Sequence, residues 1–489
     1  MKFESLEPEK LGIPSGAVLN FIEDLEKRGL CMHGIMLIRR GKIALEAHYP
    51  PFGPDKLHRM YSVTKSLVAM AVGFMIDEGK ITLQSKVADF FPEHLEEGAH
   101  QFTLKMTVRD LLLMATPYDQ SMYTVNDKHW VKTFFTAPAA HKSGTVFNYD
   151  TSGTVCLNAL VEKLSGQNLI DYLRPRLLDP LGISPSAWCV ERPEGGSWGG
   201  SGLLASIHDL ARFGLFLLNR GNWQGKQLLS ASFVKEATSP LIDNRVSVSN
   251  SEMRFGYGYQ IWRTRNNGFS VTGMGSQLAV CLPEKDMILV TTGDTQGLNS
   301  GHDIILDSFW KNVYSKIKDE VLEENSKDRE RLKNKLAVLE FPSVEGECSS
   351  PRQNDFQNKT YIFTDNSMKI KKAAFEFSEN NEGIIKYSNQ SGDHEIHFGL
   401  GKYKEGIFPE THYFGKRIGL PLGRGYRYKA SGAWFNPGSL TIYLYIVDDY
   451  LGTLKINCFF EDDFLSIRMN KVAEWFLDEY IGTATAKAV

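Results

Sequence analysis

Cysteine is scarce in this chain: six in 489 residues, at Cys31, Cys156, Cys189, Cys281, Cys348 and Cys458, with no Cys-x-x-Cys spacing. That excludes a disulfide framework and a zinc ribbon, and leaves buried thiols as the reading. No apolar run reaches the roughly 20 residues that span a bilayer, and the first ten residues, Met1 to Lys10, hold no apolar signal core. A cytoplasmic protein without a membrane partner is the expectation. Charge of one sign is also lacking. With 55 basic and 58 acidic residues and a net charge of −3, there is no polyanion footprint and no nucleic-acid partner is expected. His94, His100, His129 and His141 fall in polar connections without metal-site spacing, and His394 and His397 would alternate across a strand. Neither a metal nor a cofactor is expected.

What is present is enough chain for two domains. Residues 1–314 mix helices and strands: a strand from Gly34, a turn at Gly41-Lys42, a second strand to Tyr49, helical segments from 81 to about 190, and a meander of three strands at 257–262, 269–283 and 286–292. Thr107 before Asp110 and Ser206 before Asp209 mark two helix starts. Residues 315–344 are dense in charge and read as a connecting helix. Residues 345–489 carry eight or so short alternating segments, which predict a mainly antiparallel barrel or sandwich. The fold class expected is thus an α/β domain, an antiparallel sheet flanked by helices with a helical insertion, followed by a barrel-like β domain.

The first domain is organised around Tyr61-Ser62-Val63-Thr64-Lys65 and the apolar run that follows. If Ser62 opens a helix to about Gly79, Ser62 and Lys65 lie one turn apart on one face. The unpaired N–H groups of the first turn favour a developing oxyanion there. Burial of a helix that is apolar nearly all round pushes a lysine towards its neutral, basic form. The pattern is therefore that of an activated serine whose base comes from its own helix. Spacing alone does not select it, because Ser-x-x-Lys recurs at Ser232/Lys235 and Ser315/Lys318. Only the first precedes a buried-helix pattern. Read blandly, Ser62 is a helix cap and Lys65 a solvated first-turn residue. Tyr149, in the polar turn before the helix that starts near Thr151, can place its phenol in a cleft beside a lysine. The small residues at 272–277 would let a substrate backbone approach a strand edge, or would serve only a bulge.

Ser62-x-x-Lys65, Tyr149-x-Thr151 and the Thr272-Gly273 strand, in that order, resemble the serine β-lactamase and penicillin-binding-protein superfamily. The closer likeness is to the branch holding class C β-lactamases, D-aminopeptidases and family VIII esterases. Supporting phrases are Thr107-Val108-Arg109-Asp110-Leu111-Leu112, Pro180-Leu181-Gly182-Ile183 and Asp209-Leu210-Ala211-Arg212-Phe213. The resemblance implies Ser62 as nucleophile, Lys65 and Tyr149 as the proton-transferring pair, and an N–H near Ser276 or Gln277 completing an oxyanion hole with that of Ser62. Thr151, Thr272, Gly273, Met274 and Gly275 complete the implied binding set. The C-terminal strands resemble the lipocalin-like domain that follows this fold in some relatives, which would cover the cleft, bind an apolar group or mediate assembly into a homo-oligomer.

Two departures narrow the chemistry. Thr151 stands where relatives have an Asn, and either Val271 or Met274, according to register, stands where they have Lys or His. A charge-assisted partner for a substrate carboxylate, worth roughly 1.5–3 kcal/mol, is missing. The expected activity is that of a serine hydrolase forming an acyl-enzyme on an uncharged ester or amide, an ester by preference, with a small-molecule or short-peptide substrate. The alternatives are a D-aminopeptidase, an amidase or an acyl-transferring peptide cyclase, and a weak β-lactamase or a catalytically silent penicillin-binding-like protein.

Overall fold

Arg40 and Gly41 are both left-handed (φ 52° and 72°), as a two-residue hairpin loop requires. Across them pair β1 (Met32–Arg39) and β2 (Lys42–His48). The computed structural model describes residues 3–124, 126–298, 300–409, 425–473 and 477–489. The chain divides into two compact units, Met1–Glu340 and Phe341–Val489.

In the first unit four later strands join this pair: β3 (Trp262–Arg263), β4 (Phe269–Gly273), β5 (Gln277–Leu282) and β6 (Met287–Gly293). They form one antiparallel sheet in the order β2-β1-β6-β5-β4-β3. Every residue of β1, β5 and β6 is buried, the signature of central strands covered on both faces. The stretch 269–283, expected as one strand, is two. Gly275 and Ser276 are left-handed (φ 75° and 69°) and turn the chain tightly between β4 and β5.

The helices that matter here are α1 (Ser15–Lys27), α2 (Val63–Asp77), α3 (Thr151–Ser165), α4 (Ile207–Leu218), α5 (Gly301–Asn312) and α6 (Ser326–Leu336). α4 packs across β5 and β6, while α1 packs on α5 and α6. α2 is buried at every residue from Val63 to Met75 and packs on α3 and on β4, which is why its sequence shows no polar face. The start of α4 carries a complete capping box, Ser206 with Asp209, and Thr107 with Asp110 makes another. The charged stretch after residue 314 holds the end of a 3-10 turn at Tyr314–Lys316 and then α6, where Leu332 is buried.

The second unit contains β7 (Thr360–Phe363), β8 (Lys372–Ser378), β9 (Glu382–Asn389), β10 (Gly392–Leu400), β11 (Lys404–Ile407), β12 (Arg427–Asn436), β13 (Ser439–Val447), β14 (Leu451–Glu461), β15 (Phe464–Ala473) and β16 (Gly482–Ala488). Nine of these close into a barrel, sealed by the parallel pairing of Gly399 with Ser431 and Leu400 with Gly432. β11 lies alongside β12. Inside, Phe356 stacks on Phe460 at 4.4 Å and packs with Trp434. Phe375 and Tyr361 also meet Phe460, so aromatic rings fill this part of the lumen.

Candidate active site

Ser62 stands immediately before α2 in helical backbone (φ −67°, ψ −7°), and its side chain makes no cap bond. A capping serine would give its oxygen to a first-turn N–H. Here Ser62 Oγ instead accepts from Lys65 Nζ at 2.9 Å and lies beside the Tyr149 phenol. The residue before it, Tyr61, is left-handed (φ 47°), a conformation that costs a bulky side chain roughly 1–3 kcal/mol. The surroundings hold it there. Tyr61 O accepts from the Thr64 hydroxyl at 2.6 Å and the Thr64 N–H at 3.0 Å, and the Arg59 guanidinium lies 5.3 Å from the ring centre.

Lys65 is buried (1% exposed). Its Nζ also donates to Gly200 O at 2.6 Å and lies 5.1 Å from the centre of the Tyr149 ring. Tyr149 is half-buried. Its ring stacks on Trp262 at 5.2 Å and packs against Met114, Phe147 and Tyr257. Burial pushes the phenol well above its ordinary range, with the neighbouring Ser62 hydroxyl opposing, so Tyr149 rests as a neutral phenol.

The next residue fixes this tyrosine. Asp150 caps α3 and is fully buried. Its carboxyl accepts from Thr116 Oγ1 (3.0 Å), Ser121 Oγ (3.1 Å), the Ser152 N–H (2.8 Å) and the Ser152 hydroxyl. Burial raises its pKa and these donors oppose the rise.

Ser62 and Tyr149 open onto a cavity of about 570 Å³. Thr272, Gly273, Met274, Gly275 and Ser276 are among its lining residues, and Thr151 and Gln277 are not. Thr151 turns its methyl towards Gly200, and its N–H donates to Ser121 Oγ. Gln277 is fully buried. Its amide ties the turn to β6, donating to Met274 O (3.0 Å) and Gly293 O (2.6 Å) and accepting from the Gly293 N–H (3.2 Å). Gly273 is small for a reason other than substrate approach, because a Cβ there would overlap Met60 O. Of the two residues standing for the missing cation, Val271 is buried and Met274 is 41% exposed, lining the cavity. The other Ser-x-x-Lys pairs are not assembled: Ser232, Lys235, Ser315 and Lys318 are exposed, and Ser232 pairs with Ser230.

Sequence reasoning missed the rest of the cavity. One wall is the loop bearing Ser247, Val248, Ser249, Asn250 and Met253. It is stapled by Asn244, which bonds Met253 O and the Gly256 N–H, and by Asp303, which accepts from the Ser251 and Glu252 N–H groups. Another wall is Leu298, Ser300, Gly301 and His302 at the start of α5, and Trp262 forms part of the lining. No Asp, Glu, Lys or Arg is among the described lining residues. No group of His, Cys, Asp and Glu among the described residues could hold a metal ion, and no helix is long and apolar enough to cross a membrane.

A family model described as Beta-lactamase matches residues 19–304, and the chain belongs to that family. It is 26% identical over 323 residues to the 6-aminohexanoate-dimer hydrolase of Paenarthrobacter ureafaciens, covering 60% of this chain and 82% of that protein. It is 26% identical over 184 residues to the esterase EstB of Burkholderia gladioli, covering 33% of this chain and 46% of the relative. Among solved structures, a putative 6-aminohexanoate-dimer hydrolase from Bacillus anthracis shares the fold, with a TM-score of 0.51 at 18% identity over 63% of this chain and 86% of that one. SurE with D-Leu shares it with a TM-score of 0.51 at 15% identity, over 84% and 96% of the two chains.

Proposed function

We propose that this protein is a serine hydrolase that works through an acyl-enzyme on an uncharged ester or amide, an ester by preference. The observation that carries the reading is the Ser62 oxygen bonded by Lys65 Nζ at 2.9 Å with the Tyr149 phenol beside it, at the wall of a cavity with no Asp, Glu, Lys or Arg among its described lining. Names of relatives that include a hydrolase and an esterase support it.

In this reading Ser62 Oγ attacks the carbonyl and its proton passes to the Lys65 amine, with the neutral Tyr149 phenol donating to the leaving group. The Ser62 N–H at the positive end of α2 and an N–H of the Met274–Ser276 turn receive the oxyanion. Gln277 holds that turn in place. An alkoxide or phenolate leaves with little help from an acid, and the site offers no acid beyond Tyr149, which favours esters. Cleavage of a neutral amide is the second reading, favoured by the relative named 6-aminohexanoate-dimer hydrolase.

A fluorophosphonate probe should label the protein on Ser62, and Ser62→Ala should lose both the label and the turnover of nitrophenyl esters. Equal labelling or turnover in the variant would overturn the proposal.

A further inference from the structure

The candidate machinery comes from two separate elements: Ser62 and Lys65 from the start of α2, and Tyr149 from the turn before α3. One buried side chain outside the cavity lining joins them. Gln260 is 2% exposed. The meander expected over 257–262 would place it in an extended strand, but its backbone is left-handed (φ 58°), and its main chain and amide reach three different helices. Gln260 O accepts from the hydroxyl of Ser66 on α2, the residue after Lys65, at 2.6 Å. Gln260 Oε1 accepts from the Thr154 hydroxyl of α3 at 2.7 Å. At the end of the short helix Val108–Leu112, Leu111 O accepts from Gln260 Nε2 at 2.8 Å, and Leu112 O from Nε2 at 3.1 Å and from the Gln260 N–H at 3.0 Å. Those two carbonyls can only accept, so the amide must face them with its nitrogen, which leaves its oxygen for Thr154. Every polar group of Gln260 is thereby paired in the interior, in one orientation.

Two of these ties lead to Tyr149. Thr154 lies in the first turn of the helix that Tyr149 precedes. Two residues beyond Leu112, Met114 holds both chain neighbours of Tyr149: its O accepts the Asn148 N–H at 2.8 Å, and its Sδ accepts the Asp150 N–H at 3.4 Å. Trp262, two residues after Gln260, also stacks on the Tyr149 ring at 5.2 Å. The remaining tie, through Ser66, leads to Lys65 and Ser62. Gln260 is not among the cavity-lining residues, so its effect on chemistry runs through the elements it joins.

We propose that Gln260 is a positioning residue that sets the separation of the Tyr149 phenol from Ser62 and Lys65. The inference rests on the reading of those three residues as the acylating machinery and adds the residue that aligns them. An apolar side chain of similar length at 260 would leave Leu111 O, Leu112 O and the Thr154 hydroxyl without their buried partner, so the three helices would shift to find others. A displacement of 1 Å between reacting groups costs on the order of 10²-fold in rate.

The test is kinetic, on the full chain with a nitrophenyl ester. Gln260→Met should lower kcat by about 10- to 100-fold while KM stays within about twofold. Thr154→Val, which keeps the shape and removes one bond of the joint, should lower kcat by about 3- to 10-fold, and Thr154→Ser, which keeps the hydroxyl, should recover most of that loss. In a Tyr149→Phe background neither Gln260→Met nor Thr154→Val should lower kcat further by more than about twofold, because no phenol remains to be aligned. If Gln260→Met does not fold, the Thr154 pair decides. Wild-type kcat in the folded variants, losses that fall in KM, or losses that persist in full without the phenol overturn the proposal. Ser62→Ala, run alongside, keeps the two readings apart: turnover that survives it defeats the hydrolase reading, whereas the crystal structure of Thr154→Val still decides this one, with a Tyr149 ring displaced from Ser62 supporting it and an unmoved ring overturning it.

Discussion

Gly273→Ala is the substitution for which the structure and a family motif give different reasons. In the motif, a glycine at this position lets substrate approach. In the fold, the added Cβ would overlap Met60 O and lie 3.2 Å from both Met60 C and Gln277 Cβ. The obstructing oxygen is backbone, two residues before Ser62, so no side chain can swing away. Relieving the overlap takes a separation of roughly 1 Å between β4 and the Met60–Ser62 segment, and overpacking of this kind costs about 1–3 kcal/mol. A 1 Å misplacement of a nucleophile costs on the order of 10²-fold in rate. Gly273→Ala should therefore lower kcat/KM on a nitrophenyl ester by about 100-fold, mostly in kcat. It should also lower Tm by several degrees, at roughly 2 °C per kcal/mol for a unit of this size. Gly53→Ala is the control, since a Cβ there meets nothing within 4 Å, and it should change neither quantity. Wild-type kcat in Gly273→Ala would refute the claim that this contact positions Ser62.

Three further outcomes follow from the same geometry. Lys65→Ala and Tyr149→Phe should each lower kcat by roughly 10²–10⁴-fold if proton transfer limits the rate, read from single-turnover acylation; a near-normal rate in either would remove that residue from the mechanism. Met274→Lys places a cation on the cavity wall, where the native side chain is 41% exposed, and should raise kcat/KM for carboxylate-bearing esters relative to neutral ones, a ratio of one arguing against the missing cation as the cause of exclusion. Glu46 is held at a pKa of about 2, against an ordinary 4.5, first by the hydrogen bond from His208 and then by that from His48. A carboxylate depressed in the folded state stabilises it fully above about pH 4.5, and the contribution is lost as pH falls towards about 2. Glu46→Gln should thus cost about 2–3 kcal/mol near pH 6 and progressively less at pH 4 and 3 in urea unfolding; a pH-independent loss would contradict the assignment.

Much of this molecule was encoded by residues close together in the chain. The apolar run after Ser62 specified a buried helix and put Lys65 one turn on, because helical spacing is a property of a few consecutive residues. The capping boxes at Thr107 and Ser206, the hairpin turn, which falls at Arg40-Gly41, one residue before the Gly41-Lys42 expected, and the alternation behind the barrel strands are equally local. Tertiary structure decided everything that depended on which distant segments meet. Three Ser-x-x-Lys spacings are alike on paper, and only packing of α2 against α3 delivers a tyrosine to one of them. It turned the expected long strand into a hairpin, took Thr151 and Gln277 out of the cavity, and gave Gly273 a backbone oxygen to avoid. It also built a wall from residues 247–253 and His302, some 190 to 240 positions beyond Ser62. Loop residues of that kind have no periodicity to betray them, since their place is set by staples such as Asn244 and Asp303 rather than by their neighbours in sequence.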